Sequence, residues 1–242
     1  MSDTERLYKR NVGVADTTVM SEGLRSYMLG VYNLMALGIA ASAAISYAFV
    51  VNPGLLAFFQ GPMIWLPFVG ILALGWFAPK IIFTSRSVGA AHAAYWAYVA
   101  MFGILIGTWV AAFANQGLIG LVTQAFFITS SVFAAMSLYG YTTKKDLSGW
   151  GKFLFMASVG LLIAIVVNVF IGSTMLSLVT SGLVVLVFSA VTAYETQMIR
   201  NLYTDGAGEM NQRASIFGAF ALYGTFATLF IHILNILGIM RD

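Results

Sequence analysis

The sequence predicts an all-α integral membrane protein, a bundle of seven transmembrane helices, and three observations carry that expectation. Hydrophobic residues make up 60% of the 242 and charged residues only 9%. A soluble domain carries roughly 25% charged residues to keep its surface solvated, so the natural solvent for most of this chain is a bilayer. The apolar residues fall into seven continuous runs, each close to the roughly 20 residues that cross a hydrocarbon core of about 30 Å. The basic residues fall almost entirely into every second break between those runs.

Taken in order, the runs are Tyr27–Val51, Met63–Ile82, Val88–Ala114, Leu118–Tyr139, Phe153–Ile171, Met175–Tyr194 and Ile216–Met240. The first follows a polar, mixed-charge segment over residues 1–25, which has none of the apolar character of a secretory leader. That segment reads as a mobile cytoplasmic tail, and residues 26–242 as a single seven-helix transmembrane domain. VNPG precedes the second run, and Pro79–Lys80 near its end predicts a break that exposes backbone carbonyls. The third run carries Gly103 and Gly107 at the spacing of closely packed helices. ANQG, YTTKKDLSGWGK, GST and NLYTDGAGEMNQR separate the remaining runs, and none is long enough to hold a soluble domain. The absence of period-two alternation argues against a β-barrel.

Lysine and arginine bias sets orientation, because basic loops stay on the cytoplasmic side. Arg6, Lys9, Arg10 and Arg25 precede the first run, and Lys80 and Arg86 follow the second. Lys144, Lys145 and Lys152 follow the fourth, and Arg200 and Arg213 lie between the sixth and seventh. All fall on one side, and the other side has no basic residue until Arg241. The amino terminus is therefore expected in the cytoplasm. The charge rule leaves open whether the last run crosses or re-enters, since only Arg241 would change sides.

Composition also narrows function. The net charge of +3 comes from sparse bases at helix ends, so no nucleic acid partner is expected. With no cysteine there is no disulfide, iron–sulfur cluster or thiolate zinc site. No cofactor or metal centre is expected: His92 and His232 lack ligands at metal spacing, and TDGAGE lacks the alternating oxygens of a calcium loop. HExxH, GxSxG, a P-loop and paired intramembrane aspartates are all missing, and the last run has no Schiff-base lysine, so no enzymatic activity is expected.

Polar groups within apolar runs are the functional candidates, because hydrocarbon penalises them. They are Asn33, His92, Gln124, Asn168, His232, Asn235 and Glu195. The two histidines read more readily as packing and hydrogen-bonding residues. Glu195, in VTAYETQMIR, sits where its run meets the interface. Either it reaches hydrated headgroups, or it faces the bundle interior with Lys80 as a nearby cation.

The stretch Thr123–Leu161, the segment AYETQMI, the ending ALYGTFATLFIHILNILG and the opening VYNLMALGIAASA together resemble bacterial members of the Bax inhibitor family, in the right order and over nearly the whole chain beyond the tail. The resemblance implies seven helices around a central carboxyl-terminal helix, a bacterial inner membrane location, and no known enzymatic activity. It also implies a pH-sensitive calcium leak. In that picture an acid in the sixth helix and another in the seventh share a proton and pair with an arginine of the second. Like carboxylates held close titrate as one coupled unit.

Carried onto this sequence, the sixth-helix acid falls on Glu195 and the seventh-helix acid on Thr225. The asparagine that follows falls on Thr228, and the arginine on Lys80, a point charge in place of a bidentate fork. One carboxylate remains, so the pH latch is expected to be altered or absent. The leading expectation is a passive leak for calcium or other cations. The alternative is a non-conducting regulator or accessory subunit of a membrane assembly, such as a modulator of a membrane-anchored ATP-dependent protease, with the polar tail as its handle.

Overall fold

The computed structural model describes residues 3–59 and 61–241, with side chains described from Glu22 onward. The polar tail expected over residues 1–25, and its use as a handle, lie mostly outside these side chains. Eight helices follow in chain order: α1 (Asp3–Val51), α2 (Pro53–Phe59), α3 (Trp65–Thr84), α4 (Val88–Asn115), α5 (Ile119–Thr142), α6 (Gly151–Ile171), α7 (Thr174–Leu202) and α8 (Gly208–Ile239). All but the short α2 are long and apolar enough to cross a membrane. At about 1.5 Å per residue α8 reaches about 48 Å, so a full crossing needs no re-entry.

Local signals set several boundaries. Ser87 accepts a hydrogen bond from the Ala90 amide at 3.3 Å and Ser173 from the Leu176 amide at 3.2 Å, capping α4 and α7. Gly172, at φ +68°, ends α6 in the left-handed conformation and returns its amide to the Asn168 carbonyl at 2.8 Å. The break expected at Pro79–Lys80 does not form: α3 continues through Pro79 to Thr84. An interior proline removes one amide from the ladder and crowds the carbonyl four residues back, a local cost that a membrane helix tolerates when neighbouring groups re-satisfy the freed backbone.

The alternation of connections gives two ends. One, here the basic end, holds the α3–α4, α5–α6 and α7–α8 turns; the other holds α2 and the α4–α5 and α6–α7 turns. In the centre stands α8, packed against α1, α3, α4, α5 and α7. Gly103 and Gly107 let α4 approach α1, where added Cβ atoms would meet Ile45 and Phe49 at 2.7 and 2.8 Å. Gly140 lies closer still to its neighbour, since a Cβ there would run into the Ala193 backbone, 2.8 Å from its Cα. Small residues serve as contact surfaces because hydrocarbon gives helices no solvophobic drive to associate, and close backbone approach maximises dispersion. Tyr223 of α8 ties three helices together, bonding the Ser42 hydroxyl at 2.6 Å and donating to the Val99 carbonyl at 3.4 Å.

Candidate functional site

Both boundary errors that matter lie around Glu195. The apolar runs predicted a sixth helix ending at Tyr194 and a seventh starting at Ile216. Instead α7 continues to Leu202 and α8 starts at Gly208. Glu195 therefore sits two turns inside α7, half-buried, and looks into the bundle. Polar residues in the last turns of a helix lower local hydropathy without ending the helix, since its backbone is satisfied internally whatever the side chains.

Thr225, buried on α8, donates its hydroxyl to Glu195 Oε2 at 2.7 Å. The two positions that the resemblance assigned to a pair of acids are thus in direct contact, with a hydroxyl in place of one carboxyl. Both line a cavity of about 970 Å³ between α3, α4, α6, α7 and α8. Its wall is mostly aliphatic and aromatic, and Tyr98, Phe102 and Phe220 form an aromatic group within it. Among the described residues, no lysine or arginine lines the cavity. On its flanks α3 packs on α4 and α6 on α7, but α3 and α6 face each other without substantial packing, which leaves a gap toward the surrounding lipid.

From Thr225 a ladder of polar side chains climbs α8 toward the opposite end. Thr228 lies one turn on and returns its hydroxyl to the Gly224 carbonyl at 2.8 Å. His232 follows, its Nδ1 3.0 Å from Ser181 Oγ. Asn235 then donates to Ser177 Oγ at 2.8 Å and to Ser181 Oγ at 2.9 Å. Near that end Asn168 lines the same cavity and accepts the Ser173 amide at 3.2 Å. The spacing of Thr225, Thr228, His232 and Asn235 is that of one helix face.

Lys80 is exposed, lies outside the cavity and makes no ion pair with Glu195. Among the described residues the one ion pair is Arg213–Glu209 at 2.8 Å. Asn33 and Gln124 are exposed, and His92 is half-buried on α4 away from the cavity. Of the sequence candidates, then, the fold brings Glu195, Thr225, Thr228, His232, Asn235 and Asn168 to one wall and leaves Lys80, Asn33, His92 and Gln124 elsewhere.

Three contributions were missed. Arg213, read only as an orientation marker, is buried and pins α8 to the α3–α4 turn, donating to the Ile82 carbonyl at 2.7 Å and the Ser85 carbonyl at 2.9 Å. Gln197, in the same AYETQMI segment as Glu195, clamps the α5–α6 connection: it accepts the Leu147 amide at 2.7 Å and donates to the Lys145 carbonyl at 2.8 Å. In that connection Asp146 accepts from the Ser148 amide and hydroxyl, both at 2.9 Å, and these bonds hold its carboxyl below the usual range. Ser177 and Ser181 gave no signal at all, because serine barely lowers the hydropathy of an apolar run.

Comparison with known proteins agrees with this architecture. A family model described as "Inhibitor of apoptosis-promoting Bax1" matches residues 24–242. An uncharacterized protein of Caulobacter vibrioides is 36% identical over the full length of both chains. Another from Rickettsia prowazekii is 39% identical, covering 91% of this chain and 92% of its own. The inner membrane protein YbhL of Escherichia coli is 31% identical, covering 90% of this chain and 94% of its own. The chain belongs to the Bax inhibitor family of multi-pass membrane proteins.

Proposed function

We propose that this protein is a passive cation pathway of a bacterial inner membrane, oriented with its amino terminus in the cytoplasm, with calcium as the leading candidate ion. The observation that carries the reading is Glu195: a carboxylate inside the bundle, facing a cavity that no lysine or arginine among the described residues lines, with a ladder of hydroxyl, imidazole and amide groups rising from it on α8. An acid at membrane depth is expensive to keep unless it serves an ion or proton. Oxygen donors in sequence along one face offer a cation replacement for part of its hydration shell. The basic end, in this orientation, lies on the cytoplasmic side.

Thr225 occupies the place of the second acid in the resemblance and supplies a neutral hydrogen bond, so Glu195 titrates alone. The coupled titration of two carboxylates is then absent from this protein. Calcium flux into liposomes of the purified protein at pH 6 and pH 8 tests the reading, with Glu195→Gln and Thr225→Asp alongside. Flux abolished by Glu195→Gln, and a new coupled pH step in Thr225→Asp, is the expected result. Flux absent from all three proteins sinks it.

The second reading, a non-conducting regulator of a membrane assembly such as a membrane-anchored ATP-dependent protease, draws on the same cavity. An apolar gap between α3 and α6 fits a transmembrane segment of a partner. It predicts a stoichiometric partner after mild extraction; a lone monodisperse protein speaks against it.

A further inference from the structure

The gap between α3 and α6 opens onto a cavity with three properties that belong together. Its volume of about 970 Å³ lies at the upper end of the roughly 300–1,000 Å³ typical of small-molecule sites, which are mostly apolar with a few convergent polar groups. Among the described residues one formally charged side chain, Glu195, faces it, and no lysine or arginine does. Beside that carboxylate stands an aromatic wall: Tyr98 packs on Phe220 at 4.2 Å between ring centroids and on Phe102 at 5.0 Å, edge-on. Trp65, Trp76 and Phe155, also on the lining, are exposed toward the lipid side.

We propose that this cavity is a binding site for lipophilic organic cations, which enter sideways from the bilayer between α3 and α6 and pair with Glu195. The shape argument and the charge argument select the same class. An apolar wall favours a bulky hydrophobic body over a hydrated ion. Aromatic faces attract positive charge through their quadrupole and give nothing comparable to an anion. A lone carboxylate in a desolvated site gains most from a cation that has little hydration to lose. A plain acyl chain would satisfy the wall but leave Glu195 unpaired. This proposal stands apart from conduction, since binding needs no through path.

The test uses the full-length protein in nanodiscs with two probes of the same shape and opposite charge, tetraphenylphosphonium and tetraphenylborate, with empty nanodiscs to correct for partition. The wild type is expected to bind tetraphenylphosphonium saturably, near one per protein, and to give no saturable tetraphenylborate signal. Glu195→Gln is expected to weaken that binding by roughly tenfold or more, as when one partner of a desolvated charge pair is neutralised. A second variant, Gly75→Trp, guards against misreading a folding defect. Gly75 lies on the lining, and a Cβ there meets no atom within 4 Å, so a bulky side chain starts in open space at the mouth of the cavity. It is expected to block binding with Glu195 intact, while Lys80→Ala, outside the cavity, leaves binding unchanged. Tetraphenylphosphonium uptake no greater than in empty nanodiscs overturns the proposal. So does equal saturable binding of both probes, or saturable binding that survives both Glu195→Gln and Gly75→Trp.

Discussion

α6 and α8 are both membrane-spanning helices, and they invert the rule that governs soluble proteins. α6 is the most hydrophobic of the seven spans, yet Leu154 is its one buried residue. α8 is among the least hydrophobic, yet sixteen of its residues are buried, Arg213, Thr225 and four aromatics among them. In water the most apolar helix would be the innermost. In a bilayer the lipid is as apolar as leucine, so hydrophobicity reports contact with lipid, while small and polar residues mark contact with protein. The carboxyl-terminal helix is central because its glycines, hydroxyls and amides find partners only inside the bundle.

Matched glycines give the hardest test of that comparison. A Cβ at Gly218 of α8 would meet Ile199 at 2.8 Å and Val31 at 3.1 Å, whereas one at Gly160 of α6 meets nothing within 4 Å. Gly218→Leu should destabilise the fold by about 3 kcal/mol or more through overpacking. Gly160→Leu should leave stability within about 0.5 kcal/mol or raise it slightly, as leucine is the better helix former. Unfolding in mixed micelles of both variants measures this. Equal losses would mean that α6 is held against protein on a face the present packing leaves open.

A smaller effect sharpens the comparison at the level of charge. Arg213→Ala should cost about 2 kcal/mol, because α8 loses charged hydrogen bonds to the carbonyls that end α3. Arg213→Lys should recover part of that loss, since one ammonium cannot reach the Ile82 and Ser85 carbonyls together in the same geometry. Heat-induced unfolding in nanodiscs reads both, and identical behaviour of the two variants would mean that the guanidinium geometry is irrelevant. A loss smaller than that of Arg213→Ala is expected at Thr225→Ala, where Glu195 loses its hydroxyl donor but keeps its cavity. About 1 kcal/mol is expected. A loss several times larger in the same assay would assign Thr225 a part in packing beyond that bond.

Much of the fold is legible in the residues. Seven apolar runs, the alternating basic breaks and the Gly103–Gly107 spacing all depend on local properties: how long a run is, where a charge sits, how small a side chain is. The ends of α7 and α8 were not legible, because Glu195, Gln197, Arg200 and Arg213 dilute hydropathy while the helical backbone continues regardless. Lys80 was paired with Glu195 from its place at the inner end of the second run and from a correspondence of positions, yet it is exposed and lies outside the cavity. The serines of α7 that complete the polar ladder are silent in any hydropathy reading.

The sequence by itself determined an all-helical membrane bundle with seven apolar runs long enough to cross, because hydrocarbon admits only helices or closed barrels and the runs lack the period-two alternation of a barrel. It also determined that one acid, Glu195, stands where two are implied by the resemblance, since that is a matter of composition at a position. Tertiary structure alone decided which way Glu195 faces, that Thr225 meets it, and that α3 and α6 part to open a cavity. Those outcomes depend on the rotation of each helix about its own axis and on which helices pack together, and a single chain's hydropathy constrains neither.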